Sequence, residues 1–344
     1  MEASYAQRLR QEKGYAYADN CNTKTSLSIK MSMVLLTPTV SSNFEKDSLI
    51  YMAKKIHFIS NSIVKEINNS DNVSILVLDK EEIISLFKAN GILLFRGFDV
   101  DVDIFKEFTN LLSIDFINYA GGAFSRRVIN GDQTVLSVND FKSEIKLHGE
   151  MYYQKNIPLM LWFFCANPPL EDGETTVCDG RQFFHEISSS TKELFRQKNL
   201  KFTVRMSKED WQKKYKTDDV NQLKEICRNN NTHLKIFDDR SIMLEYISPA
   251  IIPSRCGNYQ VFINSLLPTK QLSPNILKFE DDSDIPEEVV SELNEIAEKI
   301  TTEISWRKGD ILMIDNTRIL HGRRSFADDQ RDIYIRLCSP AFSF

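Results

Sequence analysis

From about residue 116 to its end, this chain repeats short apolar or alternating segments separated by turn signals. "TVLSV" (134–138), "LMLWFFCA" (159–166), "TTVCD" (175–179), "KFTVRM" (201–206), "QVFIN" (260–264), "DILMID" (310–315) and "IYIRLC" (333–338) have strand length and lack the 3.6-residue period of an amphipathic helix. Short strands in such a series satisfy their backbone groups by pairing with one another, as a sandwich or a barrel. The expected fold class is mainly β with flanking helices.

Helical patterns frame and interrupt these strands. Asp79 followed by Glu82 reads as a capping box, with Asn90-Gly91 closing the helix it opens. "ILLFRGF" (92–98) reads as a buried strand and Val102 to Leu112 as an amphipathic helix. Residues 48–67 carry helical periodicity, and "SILVL" (74–78) is an apolar run of strand type. Two helical inserts are expected near 207–232 and 286–301. In the second, Val289, Val290, Leu293, Ile296, Ala297 and Ile300 form one apolar stripe, read as core packing.

A length of 344 residues permits two domains, but β folds of this size often form one. We expect an N-terminal tail over 1–40 and a single domain over 41–344 that carries both inserts. Residues 1–30 are either a loose tail or an over-long start. The 43 basic and 48 acidic residues are dispersed, for a net charge of -5, so no basic groove for nucleic acid is indicated and a small-molecule partner is expected. The longest apolar run, Leu159 to Ala166, is too short to span a bilayer, and the charged N-terminus lacks the centre of a secretory leader. Six cysteines without a C-x-x-C spacing suggest reduced thiols and a cytoplasmic location.

The candidate chemistry begins at His148-Gly149-Glu150. In a strand, residues i and i+2 share a face, so an imidazole and a carboxylate could meet one ion. Such a triplet arises often by chance and needs a third ligand. Of the five histidines, His57 lies in a helical segment, His185 at a helix start and His233 in a polar loop, and each reads as structural or exposed. His321 follows the buried strand of "WRKGDILMIDNTRILHGRRSF", where a layered β fold could bring it beside a distant strand. Two histidines and one carboxylate, with the other positions open, form the facial triad of non-haem Fe(II) oxygenases.

The blocks "FKANGILLFRGFDVDVDIFKEF", "LHGEMYY", "FFCANPPLEDGETTVCDGR", "WQKKYKTDD" and "IDNTRILHGRRSF" together resemble the taurine dioxygenase-like Fe(II)/2-oxoglutarate oxygenases, especially the clavaminate-synthase-like branch. The resemblance runs from about Phe87 to Leu337. It implies a double-stranded β-helix (jelly roll) flanked by helices, with His148, Glu150 and His321 as iron ligands and Thr175 as the hydroxyl that bonds the 2-oxoglutarate carboxylate. It also implies an arginine after the distal histidine that pairs with the far carboxylate of 2-oxoglutarate, a task suited to a planar guanidinium. "QRDIYIRLC" offers Arg331 and Arg336, five apart where the family usually has two arginines four apart. One of the two is expected to bind 2-oxoglutarate, with Arg331 preferred. The other holds a substrate carboxylate or lies outside. Arg323 and Arg324 read as turn or rim residues.

The implied reaction consumes O2 and 2-oxoglutarate, releases succinate and CO2, and hydroxylates an unactivated C–H bond. Desaturation and cyclisation are variants. Glu150 argues against halogenation, in which a small residue replaces the carboxylate. The expected substrate is a small polar metabolite such as an amino acid or its derivative, free or tethered to a carrier protein. Segments 118–127, 151–158 and 207–232 are the expected lids and walls. Tyr152 and Tyr153 read as pocket lining or core, and Trp162 and Phe163 as core. Two rivals remain at this point: a cupin-like protein that binds a metal or small acid without turnover, and a Zn2+-dependent hydrolase using the same three ligands.

Overall fold

The computed structural model describes residues 62–117, 126–255 and 259–344. His57, Cys21, Cys256 and most of the 48–67 segment lie outside them. The described end of that segment, Lys65–Asn68, is a strand and not helix.

The large sheet has eight strands. Its central strand, Met160–Asn167, is flanked by Ile311–Asp315 and Asp332–Pro340 in antiparallel register. Beyond Ile311–Asp315 come Ile92–Arg96 and then Lys65–Asn68, the latter pair parallel. Both faces of the centre are buried, which explains why "LMLWFFCA" reads as a continuous apolar run. Met160, Trp162 and Phe164 face one way, with Phe105 and Phe108 of helix Val102–Leu112 and Phe87 of helix Lys80–Asn90. Leu161, Phe163 and Cys165 face the other way, towards Val177 and Ile319 of a second sheet.

That second sheet has four strands, in the order Thr302–Ile304, Thr175–Asp179, Ile319–Arg323, Ile145–His148. Its outer face is covered by helices Gly180–Glu186 and Glu287–Ile300, whose Phe183 and Leu293 pack with Leu320 and Cys178. The expected inserts are present, with Lys208–Tyr215 and Val220–Asn229 as the first and Glu287–Ile300 as the second. The first insert packs on a separate sheet in the order His233–Ile236, Ile242–Ser248, Leu200–Met206, Leu277–Phe279.

The N-cap half of the expected capping box forms: the Asp79 side chain accepts from the Glu82 amide at 2.9 Å, and Gly91 ends the helix with φ +76°. Three further local expectations fail, the first being His185, which lies in the last turn of helix Gly180–Glu186 and not at a helix start. Residues Ile75–Val77 form a 3-10 turn capped by Ser74, with only Ile75 buried. His233 opens a strand paired with Ile242–Ser248 instead of lying in a loop. No helix among the described residues is long and apolar enough to cross a membrane.

Candidate metal centre

Register in the four-stranded sheet assembles the site. His321 lies directly opposite His148 on one side and Val177 on the other. Direct cross-strand partners hold their side chains close, and the two imidazole centroids are 4.3 Å apart. Two residues further on, Arg323 lies opposite Thr175 and so shares the inward face with His321.

Glu150 arrives by another route. The strand ends at His148, and Glu150 sits in the turn that follows, so the expectation that both ligands share one strand is corrected. The turn is held from afar. The Asn316 side chain accepts from the Glu150 amide at 2.8 Å and donates to the Glu150 carbonyl at 3.1 Å, while the Gly149 amide donates to the Asn264 carbonyl at 2.9 Å. Gly149 is required here, since a Cβ would enter the Tyr152 ring and lie 2.8 Å from Ile263 Cγ1. Met151, at φ +64°, completes the turn.

Donor atoms of His148, Glu150 and His321 lie within 4.8 Å of one another, the only such group of three among the described residues. Glu150 Oε2 is 3.4 Å from His321 Nε2 and 3.7 Å from His148 Nε2, while its other oxygen takes Arg126 Nη2 at 3.1 Å. Lys146 O lies 2.9 Å from His148 Nδ1. A carbonyl can only accept, so Nδ1 is the donor and Nε2 is the ring nitrogen that faces Glu150. Burial first, then the charge of neighbouring His148, pushes the His321 pKa down to about 4. Burial alone would raise the Glu150 carboxyl, but Arg126 and the two imidazoles hold it well below the usual range. A neutral His321 imidazole and an ionised Glu150 carboxylate are forms that bind a metal. The mixed N,N,O donor set therefore fits a divalent first-row ion, and the buried His321 Nδ1 has no hydrogen-bond partner.

A cavity of about 970 Å³ opens on this triad. Arg331, buried and cavity-lining, donates through Nη1 to Asn139 Oδ1 at 2.7 Å and through Nε to the Gly173 carbonyl at 3.2 Å. Arg331 precedes strand Asp332–Pro340, and Arg336, on that strand, takes the face shared with Tyr334 and Cys338, away from the cavity. There it bonds Asn110 and the Lys106 carbonyl, stacks 3.6 Å from the Phe116 ring centre, and lines no part of the cavity. Thr175 lines the cavity and accepts from Trp306 Nε1 at 3.0 Å. Tyr153 lines it too, whereas Tyr152 is core, its hydroxyl donating to the Asn316 carbonyl. Trp162 is core as expected. Phe163 is both core and cavity wall, 5.6 Å from the His321 ring.

Three contributors were not expected. Arg324 is a rim residue, paired with Glu144, Glu298 and Glu303. Arg323 is not: it is buried on the cavity wall, donating to the Val138, Phe141 and Ser143 carbonyls. The alternation that starts at His321 could have revealed it. Asn316 and Arg126 carry no local signal. Burial pushes the Arg323 pKa down to about 9, with Arg331 adding to the effect, and burial pushes that of Arg331 down to about 10. Neither guanidinium forms an ion pair among the described residues. Two buried cations beside one cavity are unfavourable unless an anion joins them, which fits a dicarboxylate co-substrate.

A mononuclear site of two histidines and one carboxylate, on a mainly β frame with an anion-receptive wall, defines the class. The chain belongs to the taurine catabolism dioxygenase TauD, TfdA family, whose model matches residues 56–338. It is therefore a dioxygenase. It is 26% identical over 277 residues to a clavaminate synthase-like protein of Arabidopsis thaliana, covering 74% of this chain and 83% of that protein. Identity to the dapdiamide synthesis protein DdaC of Enterobacter agglomerans is 23% over 281 residues, covering 75% and 84%. In fold it is similar to PvcB of Pseudomonas aeruginosa, with a TM-score of 0.54, 15% identity, and coverage of 80% and 85%. PvcB is described as an Fe, alpha-ketoglutarate dependent oxygenase from an isonitrile synthetic pathway.

Proposed function

We propose that this chain is a non-haem Fe(II)/2-oxoglutarate-dependent oxygenase that hydroxylates a C–H bond of a small polar metabolite, such as an amino acid or its derivative, in specialised-metabolite biosynthesis. The observation that carries this reading is the convergence of His148, Glu150 and His321 in the lining of a cavity whose wall also holds Arg323, Arg331 and Thr175. We read the two facing sheets as a double-stranded β-helix within a single domain over 41–344. The buried free thiols of Cys165, Cys178 and Cys338 fit a reducing, cytoplasmic setting.

In this reading His148 Nε2, His321 Nε2 and Glu150 Oε2 hold ferrous iron, Arg331 and Thr175 receive the far carboxylate of 2-oxoglutarate, and Arg323 adds positive potential behind it. When bound, iron and 2-oxoglutarate supply the O2 chemistry that converts 2-oxoglutarate to succinate and CO2 and delivers one oxygen atom to the substrate. The chain's own residues orient and exclude. The Lys146 carbonyl fixes the His148 tautomer, and Asn316 fixes the Glu150 turn. Phe163, Met151 and Ile335 give the cavity dry apolar walls beside the triad, limiting side reactions with water. A hydrolase would leave the arginine pair and Thr175 without a role.

The test is succinate formation by purified protein supplied with Fe(II), 2-oxoglutarate and O2, against a panel of amino acids and their derivatives. The reading predicts slow succinate release without substrate, faster release with the right one, and a product heavier by one oxygen. Succinate no greater than that of His148→Ala across the panel would contradict it.

A further inference from the structure

The cavity is larger than the metal chemistry requires. At about 970 Å³ it lies at the upper end of the range for ligands of drug size. Its far wall comes from the insert and its sheet: Phe202, Val204, Met206 and Leu244 supply apolar surface, and Lys214 and Tyr215 come from helix Lys208–Tyr215. A small amino acid beside the triad would leave that wall uncovered.

The charges in the lining are unbalanced. Four cations, Arg126, Lys214, Arg323 and Arg331, face one carboxylate, Glu150. Ferrous iron and the 2-oxoglutarate dianion cancel, so the excess persists in the loaded site. Three of the cations have work to do: Arg126 pairs with Glu150, Arg323 binds three carbonyls, and Arg331 faces the co-substrate. Lys214 has no carboxylate partner among the described residues, only a ring contact with Tyr215 at 5.9 Å. Solvent reaches it, yet the protein packed around it holds its ammonium below the usual lysine range. That combination marks a group facing a cavity and not a convex surface.

We propose that the substrate is an amino-acid derivative carrying an extended apolar body that lies along Phe202, Val204, Met206 and Leu244 and an acidic group that pairs with Lys214. This rests on the oxygenase reading above, which leaves Lys214 as the cation available to the substrate. A carboxylate and a phosphate share the required chemistry.

Binding can be read without turnover, in protein held with Mn(II) and saturating 2-oxoglutarate under anaerobic conditions, so that Arg331 is occupied and Lys214 is the cation left to the probe. The probes are 8-anilinonaphthalene-1-sulfonate, an apolar body with one anionic group, and its uncharged counterpart N-phenyl-1-naphthylamine. The expected result is one saturable sulfonate-dye site, weakened about tenfold in Lys214→Met and restored in Lys214→Arg, with the neutral dye unaffected. Lys214 is exposed on its helix, and circular dichroism checks that both variants fold. Displacement of the dye by decanoate or decyl phosphate, and not by decanamide, would support the proposal and indicate which anion is preferred. Equal dye affinity in Lys214→Met, or displacement by decanamide as effective as by decanoate, would overturn it. The Fe(II)/2-oxoglutarate site is assayed separately, so the two readings can fail independently.

Discussion

Replacing His321 by glutamine is expected to remove a pH dependence of stability that the metal-free protein otherwise carries. In the unfolded chain the imidazole titrates near its ordinary value of 6.5, while in the fold it titrates at about 4. Above pH 6.5 both states are neutral and His321 contributes nothing to the slope. As pH falls through 6.5 the unfolded chain takes up a proton that the fold refuses, so stability is lost down to about pH 4. At pH 5 the protonation factor is about thirtyfold for the unfolded group and close to one for the folded group, a loss of about 2 kcal/mol. Glu150, held well below its usual pKa, adds little at pH 5 and acts in the same direction at lower pH. The assay is urea denaturation at pH 7.5 and pH 5. Wild type should lose about 2 kcal/mol more than His321→Gln across this interval. Equal losses in the two proteins would refute the claim that His321 is kept neutral by burial.

The two arginines of "QRDIYIRLC" should separate cleanly. Arg331→Gln is expected to raise KM for 2-oxoglutarate about tenfold or more, while Arg336→Gln leaves that KM unchanged and lowers stability by about 2 kcal/mol, because Asn110 and the Lys106 carbonyl lose a buried donor. Steady-state kinetics and urea melts check the pair. Gly149→Ala is expected to cost about 1–3 kcal/mol and to weaken metal binding, since the added methyl must displace Tyr152 or Ile263 beside Glu150. Calorimetric titration with Mn(II) reads the second effect.

Seven strands after residue 116 were legible because each is a short apolar or alternating run bounded by turn residues, whereas Ile242–Ser248, Leu277–Phe279 and Thr302–Ile304 were not named. The helix of the second insert was legible from its apolar stripe, and the helix at Lys80–Asn90 from its cap. His148, Glu150 and His321 could be named, but the sequence could not show how they meet. Glu150 is placed by Asn316, 166 residues away, at a turn whose sharpness depends on contacts that no tripeptide encodes. "SILVL" failed because an apolar run of five residues fits either a strand or a tight turn. Arg323 was misread through its partner: "RR" suggests an exposed turn, yet on a strand adjacent residues take opposite faces, so Arg324 meets solvent and Arg323 the cavity.

The central claim is that three side chains hold one ferrous ion beside a 2-oxoglutarate pocket. Anaerobic addition of Fe(II) and then 2-oxoglutarate to the metal-free protein, followed by visible absorption, tests it directly. The account predicts a weak charge-transfer band that saturates at one iron per chain, is absent in His148→Ala, and forms in Arg331→Gln only at much higher 2-oxoglutarate. A folded wild-type protein that shows no band, or a band that survives in His148→Ala, would contradict it.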